Sequence, residues 1–337
     1  MNKTDQIFIV GSSRSGTTML SRILGNHSKI FTFRELHFFS RLLNSSLSSE
    51  LSNEESQRLL AKLLCVQKNG IFFQNKYKNF YNEAAKLLLK DPVKNALDIY
   101  SLFLNEMTKL RSNEIACEQT PNNMYYVQEI LDYFPNAKII NMVRDQRDVL
   151  LSQKNKWKRK FLGASKIPLS EAIRSYVNYH PITTAKIWDS SLRHTTKYMD
   201  HPRVKIVNFE ELIKDSEFVV NEICSFLRID YQDKMLKVPV VGSSTTLDRK
   251  DRLEIDKEKV EKWKKGGLNN AEIYISQLFA SNMMRYFSYE LKKFKSPPVL
   301  SFIYLFTFPV KLFFAFLLNL NIKVSILKNL KKIFLKQ

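Results

Sequence analysis

The stretch Gly11-Ser12-Ser13-Arg14-Ser15-Gly16-Thr17-Thr18 constrains the fold of this chain more than any other. It follows the apolar run Ile7-Phe8-Ile9-Val10, which reads as a buried strand. It precedes Met19, Leu20, Ile23 and Leu24, which share one face of a helix. A strand, a loop bounded by glycines and a helix make a phosphate-binding loop, in which backbone amides at a helix N-terminus face an anion. The Walker A pattern G-x-x-x-x-G-K-[ST] uses its lysine to grip the β and γ phosphates. Here both glycines and Thr18 are in register, but Thr17 stands at the lysine position. A chain with no γ-phosphate to hold does not need that lysine. Arg14, inside the loop, brings instead a planar fork suited to sulfonate or phosphate oxygens.

Two further stretches carry chemistry. Ala137 to Val143 reads as a core strand with Arg144 at its carboxyl end, and the helix after it turns Val149, Leu150 and Leu151 inward. Ser152 returns to the same side about two turns on. Arg144 and Ser152 then offer one phosphate a charge-assisted and a neutral hydrogen bond. Taken alone, Arg144, Asp145, Arg147 and Asp148 read equally well as a solvated salt-bridge patch. In Phe31-Thr32-Phe33-Arg34-Glu35-Leu36-His37-Phe38-Phe39 a second strand is predicted to end near Arg34. Glu35 is thereby placed on the carboxyl edge of the sheet, where open α/β sheets bind ligands. A carboxylate ringed by aromatics is expected to have its pKa raised, as a base accepting a hydroxyl proton requires. His37 is the second candidate for that base. The structural alternative is an ion pair of Glu35 with Arg14 or Arg34.

The loop Ser13-Arg14-Ser15-Gly16-Thr17-Thr18 and the segment Ile139 to Ser152, in that order and each on a strand-to-helix junction, resemble the sulfotransferases of bacterial and glycan type that use 3′-phosphoadenosine 5′-phosphosulfate (PAPS). The resemblance covers residues 5 to 290. It implies that Ser13, Arg14, Ser15, Gly16, Thr17 and Thr18 hold the 5′-phosphosulfate and that Arg144 and Ser152 hold the 3′-phosphate. Glu35 is then the base, Arg14 steadies charge on the departing phosphate, PAPS is the co-substrate and no metal is required. Ile115 to Asn122 resembles a family segment that often reads Glu-Lys-Thr-Pro, but Gln119 replaces the lysine. That lysine's task is expected to fall to Arg14 or to a lysine from elsewhere, such as Lys90. Thr120 and Pro121 read as a turn above the acceptor cleft. Gly242 to Thr246 corresponds to a late loop that closes over the nucleotide, and Trp263 to a packing tryptophan.

The expected fold is α/β, a three-layer arrangement like that of P-loop NTPases. Five parallel strands, near 6–10, 30–34, 114–118, 138–143 and 204–209, lie between helices. The chain has 337 residues, 44% of them hydrophobic, enough for a substantial core in one domain. We divide it into a catalytic domain, 1–290, with a helical insert at about 40–111, and a basic, hydrophobic tail, 291–337. Cys65, Cys117 and Cys224 lack metal-like spacing and read as reduced thiols, two of them in apolar surroundings.

From Val299 to Leu318, 16 of 20 residues are apolar, and Ile322, Ile326, Leu330 and Ile333 then share one helical face apart from Lys328, Lys331, Lys332 and Lys336. From Leu291 to Gln337 there are nine lysines and no acidic residue, so the tail carries 9 of the net charge of +20. Pro309 and Lys311 in mid-run disfavour a straight crossing, and the flanking lysines favour a re-entrant or monotopic attachment to an anionic bilayer. The alternative is a helix pair packed on the domain or on a second subunit. Met1 to Gln6 leads straight into the first strand, which reads as no amino-terminal anchor and an active site on the cytosolic side. Lys154, Lys156, Lys158, Arg159 and Lys160 around Trp157 form a basic run, read either as a solvated face or as an attractor for an anion. Nothing resembles an RNA-binding signature, so nucleic acid is not an expected partner. The expected acceptor is a hydroxyl on a glycan, glycolipid or other lipid. The competing functions are a P-loop kinase or NTPase, and a non-catalytic membrane-surface protein with a relic nucleotide loop.

Overall fold

A computed structural model describes residues 5–43 and 47–319. The tail positions Ile322 to Lys336 lie outside these residues. The first strand, β1 (Asp5–Gly11), is buried on both faces. Its side chains alternate, Ile7 and Ile9 entering one core and Phe8 and Val10 another, as the pleat of a strand requires. The loop then enters α1 (Thr17–Gly25), whose Leu20, Ile23 and Leu24 cover the Ile7 and Ile9 side. After β2 (Ile30–Thr32) come α2 (Asn53–Asn69), α3 (Tyr81–Leu88) and α4 (Ala96–Lys109). These three helices, all within the expected insert, pack on the Phe8 and Val10 side. Capping boxes at Ser52 with Glu55 and at Asn95 with Asp98 start α2 and α4.

The chain continues through β3 (Ile115–Glu118), α5 (Val127–Tyr133), β4 (Lys138–Val143), α6 (Gln146–Lys154), α7 (Leu169–Asn178) and α8 (Pro181–Thr196). It returns as β5 (Val204–Asn208), followed by α9 (Phe209–Lys214) and α10 (Ser216–Leu227). The sheet order is β2-β3-β1-β4-β5 with every pairing parallel, in register Phe8 with Glu118 and Ile9 with Ile140. All five carboxyl ends therefore share one edge. The expected five-stranded parallel sheet between helices is the observed one, with each strand where the apolar runs place it.

The last part was not anticipated in detail. A short antiparallel pair, β6 (Pro239–Val240) and β7 (Arg249–Leu253), precedes α11 (Asn270–Tyr286) and the apolar α12 (Val299–Asn319). A third core of Val143, Val149, Trp188, Ala280 and Met284 joins β4, α6, α8 and α11. Through it the Trp188 indole Nε1 donates to the Arg144 carbonyl over 3.0 Å and fixes the end of β4. Cys65, Cys117 and Cys224 are buried and unpaired, as expected.

Candidate active site

Gly16 starts α1 with φ 99°, a left-handed conformation that glycine adopts without strain. A Cβ there would lie 2.4 Å from the Phe209 ring. No side chain caps α1 and its first turn holds no acidic residue, so its first amides retain hydrogen-bonding capacity for an anion. Ser15 is fully buried with its Oγ unpartnered. Thr17 is buried and Thr18 partly so on the first turn, while Ser13 is half-buried at the loop's crest.

Arg14, also left-handed at φ 77°, turns its side chain across the site. Its Nε donates to Ser152 Oγ over 2.9 Å, and its Nη2 donates to Ser244 Oγ over 2.8 Å and to the Gly242 carbonyl over 2.9 Å. The Arg14 carbonyl accepts from Arg144 Nη1 over 3.2 Å. The two sequence motifs, 130 positions apart, therefore meet at Arg14. Burial first, then the charges of Arg159 and Arg144, lower the Arg14 pKa to about 10. Such crowding of cations is relieved by an anion.

Arg144 also donates to the Lys259 carbonyl over 2.6 Å, lies 3.6 Å from Asp148 Oδ2 and stacks 4.2 Å from the Phe209 ring centroid. Its Nε is buried without a partner. The alternative, a solvated salt-bridge patch, does not hold, since Asp145, Arg147 and Asp148 are buried. Arg147 pairs with Asp145 at 2.7 Å and lies over the Trp263 ring at 3.9 Å, so it packs the site from behind. Trp263 N donates to Asp148 Oδ1 over 2.9 Å, which agrees with a packing role.

Glu35 follows β2 on the shared edge. Its partner is neither Arg14 nor Arg34 but His37, whose Nε2 lies 3.3 Å from Glu35 Oε2. The expected rise in its pKa does not occur. Its side chain is 40% exposed, so partial burial pushes the pKa up only against solvent screening, and the His37 hydrogen bond and the charges of His37, Lys156 and Arg14 hold it below the usual carboxylate value. The aromatics around it do not leave it without counter-charge. His37 itself is left-handed at φ 53°, and its amide donates to Thr120 Oγ1 over 3.1 Å.

Glu118, at the end of β3, holds this loop. It accepts from the Leu36 amide at 3.3 Å, the Thr120 amide at 3.1 Å, Asn123 Nδ2 at 2.6 Å and the Thr120 hydroxyl. Burial pushes its pKa up to about 7 against those hydrogen bonds. Gln119 is buried with its Oε1 unpartnered. Lys90, the suggested substitute for the missing lysine, pairs with Glu106 of α4. That helix leads into the start of β3, at the opposite edge of the sheet, so Lys90 cannot serve the site. Lys156, on the 3₁₀ turn Lys156–Phe161 beyond α6, lies within electrostatic reach of Arg14 and Glu35. It is exposed, yet surrounding protein first and then Arg14 lower its pKa to about 8, with Glu35 opposing.

The loop at Gly242 to Thr246 closes on the phosphate motifs through Ser244, which also lies 3.0 Å from Ser152 Oγ. Arg159 fastens it, donating to both Asp248 carboxylate oxygens at 2.8 and 2.9 Å and to the Ser243 carbonyl at 2.8 Å. Sequence reasoning merged Arg159 and Lys156 into one basic run. Their separate tasks depend on partners far away along the chain.

The sulfotransferase family model matches residues 6–233, about two thirds of the chain. The chain belongs to the sulfotransferase family. The sulfotransferase fold is shared with two solved structures. The sulfotransferase domain from the Synechococcus PCC 7002 olefin synthase is 21% identical, with TM-score 0.52 over 86% of this chain and 97% of that one. The sulfotransferase domain from the curacin biosynthetic pathway is 20% identical, with TM-score 0.51 over 85% and 98%. An uncharacterized protein of Aquifex aeolicus (strain VF5) is 26% identical over 265 residues. That match takes in 77% of this chain but 30% of the Aquifex protein, so the chain spans under a third of that relative's length.

Proposed function

We propose that this sulfotransferase moves the sulfonate group of PAPS to a hydroxyl of a glycan or lipid-linked acceptor, at a membrane surface. The observation that carries the reading is the meeting of both phosphate motifs at Arg14, whose side chain reaches Ser152 and whose carbonyl receives Arg144. The residues present fit a bisphosphorylated nucleotide. The unpartnered Ser15 Oγ, the uncapped amides of α1 and the unpartnered Arg144 Nε are donors without an acceptor, set among crowded cations. On this reading Ser13, Ser15, Gly16, Thr17 and Thr18 hold the 5′ end, and Arg144 and Ser152 hold the 3′-phosphate.

Glu35, ionised at neutral pH, takes the acceptor proton as the acceptor oxygen forms its bond to sulfur. The bond from sulfur to the 5′-phosphate oxygen breaks, and that oxygen keeps the electron pair. Arg14 and the α1 amides steady the resulting charge. Lys156, within electrostatic reach of both Arg14 and Glu35, supplies the cation that Gln119 cannot. Association with a membrane is supported by α12, which is long and apolar enough to cross one and is almost wholly exposed.

Thermal-shift titration with 3′-phosphoadenosine 5′-phosphate (PAP) against ATP with magnesium tests the reading. PAP is expected to stabilise the protein at lower concentration. Preference for ATP would favour a P-loop kinase or NTPase instead.

A further inference from the structure

α12 is inside out for a helix of a water-soluble protein. Ser301, Tyr304, Phe308, Lys311, Ala315 and Asn319, at spacings of three and four, are its less exposed line. That line faces the domain. Tyr304 and Phe308 lie 5.7 and 5.0 Å from the His180 ring, Tyr304 OH accepts from Asn269 Nδ2 over 3.2 Å, and Lys311 Nζ stands 5.6 Å from the Tyr176 ring centroid. At the far end, Asn319 Oδ1 accepts from Arg174 Nη1 over 3.0 Å, and Asn319 Nδ2 donates to Asn178 Oδ1 over 3.0 Å. The polar residues thus dock, and Phe302, Phe306, Phe313 and Leu317 face outward at 62, 87, 59 and 43% exposure. An amphipathic helix on a water-soluble domain has the reverse arrangement. Docking of Lys311 also removes the main objection to placing this helix among lipids, because its charge is taken up on the protein side.

The outward surface continues onto α7, where Leu169, Ile173 and Tyr176 share one face and are each more than half exposed. Large exposed apolar surface of this kind marks a site of membrane or protein contact. α12 contacts the domain from Ser301 to Asn319, a placement that suits a helix lying along a leaflet rather than crossing it. Lys292, Lys293 and Lys295 precede it, and no acidic residue follows Glu290 in the sequence, which suits an anionic leaflet.

This surface borders the reaction site. The turn at Lys156 is tied to α7 by Lys160 Nζ, which donates to the Ile167 carbonyl over 2.8 Å, and by the Trp157 and Tyr176 rings, 5.9 Å apart. Lys156 lies within electrostatic reach of Glu35 and Arg14, and also of Arg174 and Arg41.

We infer that α7 and α12 form a monotopic membrane-docking face, and that the acceptor is a membrane-resident amphiphile whose headgroup hydroxyl reaches the site from the leaflet, on the side of the Lys156–Phe161 turn. The docking face stands on its own, while the acceptor class rests on the sulfonate-transfer reading above.

The full chain is mixed with vesicles of phosphatidylcholine containing phosphatidylglycerol and floated, in parallel with the variants Ile173→Glu, Phe306→Glu and Phe313→Glu. The wild type floats, and each variant loses about tenfold or more in vesicle affinity while binding PAP as the wild type does. With radiolabelled PAPS and vesicles of a total bacterial polar-lipid extract, label enters the chloroform-soluble fraction, and the variants lose that transfer in step with vesicle binding. Variants that float like the wild type overturn the docking face. So does a dimer that the variants dissociate while vesicle binding is unchanged, since the face then belongs to a second copy. Label transferred to water-soluble glycans and not to lipid overturns the acceptor class. Failure of the wild type to bind PAP overturns the sulfonate-transfer reading alone, since flotation still decides the docking face.

Discussion

Arg14 Nε and Ser152 Oγ, 2.9 Å apart, join the loop after β1 to the helix after β4. Arg144, at the start of the same segment, closes the circuit on the Arg14 carbonyl. Removing the guanidinium in Arg144→Ala takes away a charge-assisted contact worth about 1.5–3 kcal/mol, so PAP affinity measured by calorimetry is expected to fall roughly 10- to 100-fold. Ser152→Ala, which removes a neutral partner, is expected to cost about threefold to tenfold. Affinity for ATP, which has no 3′-phosphate, should change little in either variant. Equal losses for both nucleotides would contradict the assignment of these residues to the 3′ end.

Glu35→Gln is expected to lower kcat by roughly 10²-fold or more and to leave PAP affinity nearly intact. The pH profile carries the sharper test. His37, Lys156 and Arg14 hold the Glu35 pKa below its usual value, so the base stays ionised through the mildly acidic range. The acid limb of the kcat/KM profile should therefore lie below pH 4.5, the carboxylate reference value. His37→Ala removes the largest of the lowering influences and leaves burial unopposed by it, which moves the limb toward neutrality. A limb that stays in place in His37→Ala, or full turnover in Glu35→Gln, removes Glu35 from the role of base.

Glu118 acts on stability. Its folded pKa of about 7 lies above the reference value of 4.5, and burial is the main cause. The folded state therefore binds the extra proton, and the stability it brings is complete below pH 4.5 and is lost as pH rises through about 7. At about 1.4 kcal/mol per pKa unit, the effect is of the order of 3 kcal/mol for a residue 1% exposed. Urea denaturation between these limits should show wild-type stability declining with pH. Glu118→Gln, which cannot titrate, should show a flatter profile from a lower starting value, because one acceptor for Leu36, Thr120 and Asn123 is gone. Parallel slopes for the two proteins would contradict this account.

The sheet was legible in the sequence because buried parallel strands are written as short apolar runs, and Ile7 to Val10 and Ile139 to Val143 are such runs. The loop after β1 was legible because its glycines and hydroxyls stand at fixed spacings. Strand β7, Arg249-Lys250-Asp251-Arg252-Leu253, is exposed throughout, four of its five residues are charged, and it carries no alternation to read. The pKa of Glu35 was misread because aromatic neighbours are visible in sequence, whereas the approach of Lys156 from 121 positions away is not. The Asp248 partner of Arg159 and the docking line of α12 were hidden for the same reason, since each depends on what the fold brings opposite.

Lys156 offers the last test, because its position opposite Gln119's lost function can be read from the alkaline side. Surrounding protein, and next the Arg14 charge, lower its pKa to about 8. In the free enzyme it therefore loses its proton within reach of ordinary assay buffers, and kcat/KM should fall on an alkaline limb near pH 8. Bound PAPS brings negative charge beside the ammonium and raises its pKa, so the same limb should move upward or vanish in kcat. Lys156→Ala should lack the limb and have low kcat/KM at every pH. Lys156→Arg keeps the charge at all pH values and should restore part of the rate with a flat alkaline profile. If the limb near pH 8 persists in Lys156→Arg, another group produces it and the missing lysine's task lies with Arg14 alone.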